Sequence, residues 1–342
     1  MKVFITGATG FFGSRLVRCL LEKTGHELVL LTRRPDSSGL PDHERVSLVR
    51  GDVTDPPDTL ARHMEGCEGV IHSAALVSTW ARDRSAFDRV NIEGTLGVLR
   101  AAGMAQAGKI LYTSSFLALG SSADKPLGED GPHFRELHFN DYERTKYIAN
   151  LRAQELAERE DLPLTTLYPT VMYGPGPLSS GNLVANLLID YMKRKLPARL
   201  GDGTSRWNYV FVEDVAEGHL RALEKSKPGD RFILGGENVS TADFFRTVER
   251  VTGISQPRLS VPFPVARLAG ACEEILAFLT GREPKTTRGV IDIFRRDWVF
   301  DSSLAERDLG YRPLGLEQGL KRTVDWIRAE GLAETSVVSS LI

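Results

Sequence analysis

The chain has 342 residues, of which 42% are hydrophobic and 26% charged, so it can bury a large core and is neither disordered nor collagen-like. Its net charge of -2 and its scattered lysines and arginines exclude a basic face for nucleic acid, which is not an expected partner. The cysteines are odd in number, far apart and in apolar surroundings, which predicts reduced structural thiols, a cytoplasmic location and no bound metal: Cys19, Cys67 and Cys272.

Neither a signal peptide nor a membrane span is predicted. The chain starts with a strand-like segment and lacks the charged, apolar and small-residue regions of a signal peptide. The most apolar later segment, residues 265–279, includes Arg267, Glu273 and Glu274 and is shorter than the ~20 residues that cross a bilayer. We expect an amphipathic helix there and no membrane partner.

Short apolar runs alternate with helical patterns in the first half of the chain. The runs typical of strands are residues 3–5, 28–31, 46–49, 70–71, 110–112 and 164–167. Because parallel strands need long crossover connections, this alternation predicts a parallel sheet with helices on both faces. The expected fold class is α/β, a doubly wound parallel sheet of the Rossmann type.

A change in the residue pattern after Tyr168 predicts a second, smaller lobe. Prolines and glycines follow one another closely there and interrupt regular structure. Residues 209–212 and 213–223 resemble one more strand and helix, which we expect to rejoin the first lobe. The predicted division is a Rossmann domain at 1–170 with 207–234, a discontinuous substrate lobe at 171–206 and 235–335, and a tail at 336–342.

A glycine-rich turn joins the first strand to the first helix. Gly7 permits a tight turn, Gly10 lets the backbone approach a pyrophosphate, and Gly13 lets the helix pack closely on the strand. The amino terminus of that helix adds unpaired N–H groups and the positive end of a dipole. Its place between a strand and a helix makes a plain turn the weaker interpretation. The segment predicted to hold a dinucleotide contains Gly7, Thr9, Gly10, Phe11, Phe12 and Gly13.

The end of the second strand predicts which dinucleotide is bound. A binder of NAD usually has an acidic residue here for the ribose 2′-hydroxyl, whereas this chain has Arg33 and Arg34. Guanidinium groups pair well with a 2′-phosphate, so we expect NADP(H), with NAD(H) as the alternative. The competing interpretation is that both arginines only solvate a loop next to Asp36. After the third strand, Asp52 and Val53 are expected near the adenine, although Asp52 is equally typical of a turn.

Small residues follow the fourth strand, where a cofactor would lie against the backbone. These residues are Ala74 and Ala75. His72, at the end of the same strand, has no second metal-ligand candidate spaced with it, and we interpret it as a packing histidine.

A tyrosine and a lysine four residues apart lie at the start of a helical pattern. Because positions four apart share a helix face, the phenol of Tyr142 and the ammonium of Lys146 are expected side by side. The charge would lower the tyrosine pKa, which suits proton exchange with a carbonyl oxygen. Ser114 and Ser115 close the fifth strand at the carboxyl edge of the sheet, where hydroxyls can donate to a developing alkoxide. Each feature alone has a plain alternative, a surface helix or a strand-end cap, but in this order they predict one site.

The chain resembles the extended short-chain dehydrogenase/reductase superfamily, which includes the NAD-dependent epimerase/dehydratase group, dihydroflavonol reductases and 3β-hydroxysteroid dehydrogenases. The resemblance covers nearly the whole chain and is carried by residues 6–13, 51–53, 91–95, 113–115, Tyr142 with Lys146, and 169–175. It implies that Ser115 orients the substrate oxygen and that Tyr142 is the general acid/base. Lys146 would tune Tyr142 and hold the nicotinamide ribose.

The same resemblance implies further contacts. Ser114 is the alternate serine, Pro169 and Val171 lie against the nicotinamide, and Asn91 stabilises the region around the site. The hydride chemistry belongs to the nicotinamide, while the protein supplies position and proton transfer. Relatives often dimerise through helices equivalent to 84–105 and 140–156, so a homodimer is expected.

Reduction of a ketone or aldehyde is the predicted reaction. Dehydratase relatives have acidic residues directly after the catalytic hydroxyl, whereas residues 116–118 here are Phe-Leu-Ala. Nucleotide-sugar epimerases tend to have an arginine for the substrate diphosphate where this chain has Trp207, with Arg206 one residue away. The context of Arg33 is similar to that of dihydroflavonol-type reductases, and NADPH generally serves net reduction in cells.

The expected substrate is a small, apolar or aromatic carbonyl compound. Aromatic side chains that could line its cavity, or could simply be core, are Phe116, Phe134, Phe139, Trp207 and Phe263. Two alternatives stay open. One is a nucleotide-sugar epimerase that retains its cofactor, because the Gly-Gly-Glu-Asn turn at 235–238 is similar to one in hopanoid-associated sugar epimerases. The other is a non-catalytic relative that uses the scaffold for binding.

Overall fold

The computed structural model of the protein describes residues 1–37, 39–123, 125–131 and 138–334. Its strands are β1 (Lys2–Thr6), β2 (Glu27–Thr32), β3 (Val46–Arg50), β4 (Gly69–His72), β5 (Lys109–Thr113), β6 (Leu164–Pro169), β7 (Val171–Tyr173), β8 (Ala198–Leu200), β9 (Arg206–Phe211), β10 (Arg231–Leu234), β11 (Glu237–Ser240) and β12 (Leu259–Val261).

Its helices are α1 (Phe11–Lys23), α2 (Pro57–His63), α3 (Ser85–Phe87), α4 (Gly94–Met104), α5 (Asp141–Glu160), α6 (Leu183–Met192), α7 (Val212–Lys225), α8 (Thr241–Thr252), α9 (Phe263–Thr280), α10 (Arg288–Phe294), α11 (Ser303–Leu309) and α12 (Leu316–Ala329). A π-helical segment, Asp88–Glu93, joins α3 to α4. Two short 3-10 turns lie at Pro35–Ser37 and Phe116–Ala118.

A parallel sheet, seven-stranded within the described residues, is the centre of the fold. Its order is β10-β6-β5-β4-β1-β2-β3, and every neighbouring pair is parallel. The strands predicted from the six apolar runs all lie in this sheet, which confirms the doubly wound α/β class. Because the strands are parallel, their carboxyl ends meet at one edge, where folds of this class bind ligands.

Helices cover both faces of the sheet, as the strand pattern requires. Val3 and Ile5 of β1 belong to a core shared with α1 and α7, whereas Phe4 between them belongs to a core shared with α2, α4 and α5. This division follows from the alternation of side chains along a strand, which points successive residues to opposite faces. The central strands are therefore apolar on both faces.

Beyond β6 the chain builds a smaller layer around an aromatic-rich core. A sheet of order β11-β9-β7 lies there, and β12 pairs with β8. The strand predicted at 209–212 was expected to rejoin the first lobe, but β9 pairs with β7 and β11. β7 and β9 form this smaller sheet, whereas α7 packs on the main sheet and β10 pairs with β6 in it. The division of the chain into two lobes stays a prediction.

The three cysteines differ in exposure. Cys19 and Cys67 are buried, whereas Cys272, which was expected to be a structural thiol, is exposed on the outer face of α9. Within the described ranges, no helix has the length and apolarity to cross a membrane. The same ranges hold no cluster of His, Cys, Asp or Glu that could bind a metal. Phe134 and the tail predicted at 336–342 lie outside the described residues.

Candidate active site

The turn between β1 and α1 leaves no room for side chains at two of its glycines. Gly7 has a φ of +79°, and a Cβ there would lie 2.7 Å from the backbone nitrogen of Ala74. A Cβ at Gly13 would lie 2.1 Å from the carbonyl oxygen of Gly7. Gly10 closes the turn, because its N–H donates to the Gly7 carbonyl at 3.0 Å. The turn is a bare backbone cradle, which fits the close approach of a dinucleotide pyrophosphate.

The amino terminus of α1 completes this cradle. Among the described residues no side chain caps the helix at Gly10, and its first turn has no acidic residue, so its N–H groups stay available to an anion. Phe11 and Phe12 are buried in the core, and the Phe12 ring lies 4.5 Å from the ring of His219. Only the backbone of these two residues can therefore serve a cofactor. Thr9 is exposed at the mouth of the turn.

Arg33 and Arg34 are exposed just beyond the carboxyl end of β2. The Arg33 side chain is 82% exposed, and its Nε lies 3.9 Å from a carboxylate oxygen of Asp52. Asp52 also accepts hydrogen bonds from the N–H and the hydroxyl of Thr54. Val53 is buried and packs against the start of α4. The structure thus brings Arg33 and Asp52 together but holds Arg33 loosely, which leaves its guanidinium free to turn toward a ligand.

His72 is a buried packing histidine, as interpreted from the sequence. The Thr95 hydroxyl donates to the Asn91 carbonyl at 2.8 Å, so it accepts from His72 Nε2 at 3.0 Å. His72 Nδ1 then accepts from the Thr6 hydroxyl at 2.8 Å. The same hydroxyl oxygen accepts the backbone N–H of Ala74 at 3.2 Å. Burial lowers the pKa of His72 to about 3. The neutral ring therefore helps to fix the segment that faces the glycine turn.

Asn91, in the π-helical segment, joins two walls of the site. Its Oδ1 accepts from the N–H of Leu76 at 2.7 Å, directly after the half-buried Ala75. Its Nδ2 donates to the Leu76 carbonyl at 3.2 Å and to the Thr145 hydroxyl at 3.0 Å. Because Thr145 lies on α5, Asn91 ties the segment after β4 to the helix that carries Tyr142. Such π-helical segments are frequent at functional sites.

The three side chains predicted to be catalytic converge where β5 ends. The Ser115 hydroxyl lies close enough to the phenol of Tyr142 to lower the pKa of that phenol, and its oxygen accepts the N–H of Leu117 at 3.2 Å. Lys146, one helical turn along α5, donates from Nζ to the backbone carbonyl of Thr113 at 3.1 Å. Ser115 and Lys146 are buried, whereas Tyr142 is half-buried and so remains accessible. This arrangement places a hydroxyl, a phenol and an ammonium at the ligand-binding edge of the sheet.

Two asparagines position this part of α5. Asn140 caps the helix by accepting the N–H of Glu143 at 2.8 Å, which sets where the helix begins and so orients Tyr142. Ser114 donates its hydroxyl to Asn150 Oδ1 at 3.2 Å. Ser114 is therefore engaged with the body of the helix, whereas Ser115 meets Tyr142.

The protonation states differ from the sequence-based expectation. Burial raises the pKa of the Tyr142 phenol to about 12, and the nearby Ser115 hydroxyl lowers it only in part. Burial also lowers the pKa of the Lys146 ammonium to about 7. The expected lowering of the tyrosine pKa is wrong in this structure, because burial of the phenol disfavours the phenolate and is the largest cause of the shift.

His219 supports the site and was missed by sequence reasoning. Its Nδ1 donates to the Val215 carbonyl at 2.8 Å, and its Nε2 therefore accepts from the Thr113 hydroxyl at 2.9 Å. Thr113 is the residue whose carbonyl receives the ammonium of Lys146. Burial lowers the pKa of His219 to about 4, so the ring is neutral. A lone histidine within a helical pattern has no spacing signal that could have linked it to residues a hundred positions away.

An aromatic wall faces the same edge of the sheet. Pro169 ends β6 and Val171 begins β7, and Val171 and Tyr142 both pack against the aromatic core of the smaller layer. Phe116, directly after Ser115, belongs to that core, and its ring centroid lies 6.4 Å from that of Trp207.

The other aromatic residues predicted for a substrate cavity separate into two groups. Phe139 packs against the same core, beneath the guanidinium of Arg296 at 4.6 Å. Phe263 instead packs over Gly201 at the start of α9. The structure therefore brings Phe116, Trp207 and Phe139 together but not Phe263.

Trp207 and Arg206 differ in their surroundings, because neighbouring strand residues point to opposite faces. Trp207 is buried, and its Nε1 has no hydrogen-bond partner in the described part of the chain. Arg206 donates from Nε to Asp297 Oδ2 at 2.8 Å and lines a polar cleft of 690 Å³ with Ser240 and Arg250. Arg206, one residue from the position where nucleotide-sugar epimerases tend to have an arginine, is therefore bound to Asp297 on the opposite face of β9.

The glycine pair at 235–236 has a structural role. A Cβ at Gly236 would lie 2.2 Å from the carbonyl oxygen of Tyr209. The backbone N–H of Gly236 donates to Asn208 Oδ1 at 2.8 Å. Glu237 accepts the N–H of Leu316 at 3.0 Å, at the start of α12. The turn therefore positions β11 against β9. This packing role accounts for the glycines of the turn without a sugar ligand.

The sequence profile of the NAD dependent epimerase/dehydratase family matches residues 3–235, which include the glycine turn, Tyr142 and Lys146. The chain belongs to this family. It is therefore a member of the extended short-chain dehydrogenase/reductase superfamily, as its motifs predicted. Enzymes of this family bind nicotinamide dinucleotides, and the bare glycine cradle fits such a ligand.

Relatives of this epimerase/dehydratase family member cover its full length. A Synechocystis protein provisionally named a dihydroflavonol 4-reductase is 31% identical over 97% of this chain and 96% of its own. The 2-alkyl-3-oxoalkanoate reductase of Stenotrophomonas maltophilia is 28% identical over 94% of this chain and 98% of its own. The crystal structure of gox2253 is 32% identical, covers 97% of this chain and 99% of its own, and has a TM-score of 0.81.

Proposed function

We propose that this family member reduces a ketone or aldehyde with NADP(H), using Tyr142 as the general acid. The observation that carries the proposal is the convergence of Ser115, Tyr142 and Lys146 at the ligand-binding edge of the sheet. Two relatives that match over nearly their full length are named as reductases. A homodimer and a cytoplasmic location stay predictions from the sequence.

The proposed cofactor would supply the hydride, and the chain would hold it along the sheet edge. The backbone of the glycine turn and the N–H groups of α1 would bind its pyrophosphate. Ala74 and Ala75 would lie against it, and Pro169 and Val171 would flank its nicotinamide. Lys146 would bind the nicotinamide ribose hydroxyls.

Ser115 and Tyr142 would act on the substrate carbonyl. The Ser115 hydroxyl would donate to the oxygen and fix its position, and the phenol of Tyr142 would transfer its proton to that oxygen as negative charge develops. A phenol whose pKa is about 12 keeps its proton at neutral pH, so the site is prepared as an acid. The charged fraction of Lys146 would stabilise the phenolate left behind.

The proposed substrate pocket is apolar apart from Ser115, Tyr142 and one further donor. Phe116 and Val171 offer apolar surface next to Ser115 and Tyr142, and the unpartnered Nε1 of Trp207 could donate to a second oxygen of the substrate. Arg206, which would suit a sugar nucleotide diphosphate, is held by Asp297 instead. These contacts favour a small apolar or aromatic carbonyl compound over a nucleotide sugar.

The experiment that tests this function is a panel of carbonyl compounds and nucleotide sugars, followed by NADPH absorbance and product analysis. We expect stoichiometric NADPH oxidation with an apolar ketone or aldehyde and no turnover of nucleotide sugars. An epimerase would instead purify with its cofactor retained and convert a nucleotide sugar without consuming added NADPH. That result would replace the proposal.

Arg33→Ala is expected to weaken NADPH binding by about 10- to 100-fold, because a charge-assisted contact to the 2′-phosphate is lost. NADH binding should change by less than about twofold, since NADH has no 2′-phosphate. The measurement is titration of both cofactors by fluorescence. Arg62→Ala, which removes an exposed arginine from α2, is the control. Equal losses for NADPH and NADH would contradict the proposed cofactor preference.

A further inference from the structure

Helix α9 carries its bulky apolar side chains on the face that points away from the protein. Their exposure ranges from 54% for Leu276 to 87% for Phe278. The full set, here called the α9 apolar face, is Val265, Leu268, Ile275, Leu276, Phe278 and Leu279. Most of these positions recur at intervals of three, four and seven residues, so they form a continuous stripe and not scattered exposures.

The opposite face of α9 is made of small residues. Ala266, Gly270 and Ala277 are buried, and α9 packs against α10 through this side. A Cβ at Gly270 would lie 3.0 Å from the backbone nitrogen of Arg288, so the two segments approach closely. A helix that packs through its small residues and exposes its large apolar residues is typical of an interaction surface.

The segment around this face is basic although the chain as a whole has a net charge of -2. Residues 258–296 contain seven basic and four acidic residues, a net charge of +3. Three of the four acidic side chains bond within the segment, as Glu274 does with Arg288 and Asp292 with Arg267. Arg282 and Lys285, directly after α9, are exposed and form no ion pair in the described part of the chain.

We propose that the α9 apolar face binds the surface of an anionic lipid bilayer. An amphipathic helix that lies in the interface buries an apolar face to the headgroup boundary while basic residues meet anionic lipid, and α9 offers both. Self-association through the same face would bring two segments of net charge +3 together, which disfavours a second copy. The proposal departs from the sequence-based expectation of no membrane partner, and it does not depend on the proposed reaction.

The test is flotation of the purified full chain with vesicles of phosphatidylcholine alone or mixed equally with phosphatidylglycerol. We expect about tenfold more protein on the anionic vesicles, and a loss of this excess in high salt. Ile275→Asp should lower binding about tenfold by placing a charge in the apolar face, and Lys285→Gln about fivefold. Leu183→Asp, at a similarly exposed apolar residue at the start of α6, is the matched control and should bind as the unaltered protein does.

Three outcomes would overturn the proposal. Equal binding to both kinds of vesicle would show that charge does not contribute to binding. Unchanged binding by Ile275→Asp would show that the α9 apolar face does not contribute. A protein that ignores vesicles but forms dimers that Ile275→Asp disperses would show that a second copy covers this face. Thermal unfolding of each variant separates these results from misfolding, and no change is expected because the altered side chains are exposed.

Discussion

Tyr142→Phe is expected to lower kcat for carbonyl reduction by about 10³-fold, within the range that positioned acids contribute, while leaving NADPH affinity nearly unchanged. The phenol is the proposed proton donor and holds its proton at neutral pH because burial raises its pKa to about 12. Steady-state kinetics on a substrate from the carbonyl panel, with NADPH titration in parallel, measure both quantities. A phenylalanine keeps the ring in the aromatic wall, so packing changes little.

Tyr147→Phe is the matched control for this change. It removes a hydroxyl from the same helix, at a side chain that has no part in the proposed reaction and whose ring centroid lies 5.0 Å from that of His138. The control should retain turnover. If Tyr142→Phe also retained turnover to within about threefold, the general-acid assignment would be wrong, and binding without catalysis would become the better account of the site.

Gly13→Ala is expected to abolish NADPH binding and to lower the Tm by about 5 °C. No binding should be detected even at an NADPH concentration about a hundred times the Kd of the unaltered protein. The added Cβ would lie 2.1 Å from the Gly7 carbonyl oxygen, a backbone atom that cannot rotate away. The turn must open, which moves the N–H groups proposed to hold the pyrophosphate. Alanine is otherwise the better helix former, so propensity alone would raise the stability of α1.

Gly25→Ala provides the comparison, because a Cβ at Gly25 would meet no atom of the described residues within 4 Å. Its Tm and NADPH affinity, measured by thermal unfolding and fluorescence titration, should match those of the unaltered protein. A Gly13→Ala protein that binds NADPH normally would show that the turn adapts, and the proposed pyrophosphate site would then have to lie elsewhere.

The glycine turn and the first strands could be predicted because their causes are local. Gly7 and Gly13 stand at fixed distances from a short apolar run, and the need for a bare backbone is visible in the residue types themselves. The spacing of Tyr142 and Lys146 likewise needs only the geometry of a helix. These features required no knowledge of which segments meet in space.

The pairing of β9 and the role of His219 could not be predicted in the same way, and the role of Asn91 was expected only from the family resemblance. An apolar run indicates a strand but not its partner, and β9 was assigned to the first lobe although it pairs with β7 and β11. His219 acts through Thr113, which lies 106 residues away. Contacts of this kind depend on how distant segments pack, which no local pattern encodes.

The amino-acid order alone determined the parallel α/β architecture, the backbone cradle of the first turn and the helix face shared by Tyr142 and Lys146, because periodicity and backbone sterics act over a few residues. Tertiary structure alone decided the electrostatics of the site and the surface of the molecule. Burial depends on every neighbouring element, and it raised the pKa of Tyr142 and lowered that of Lys146. Packing against α10 likewise decided that α9, recognisable as apolar from its sequence, turns its small residues inward and its large ones outward.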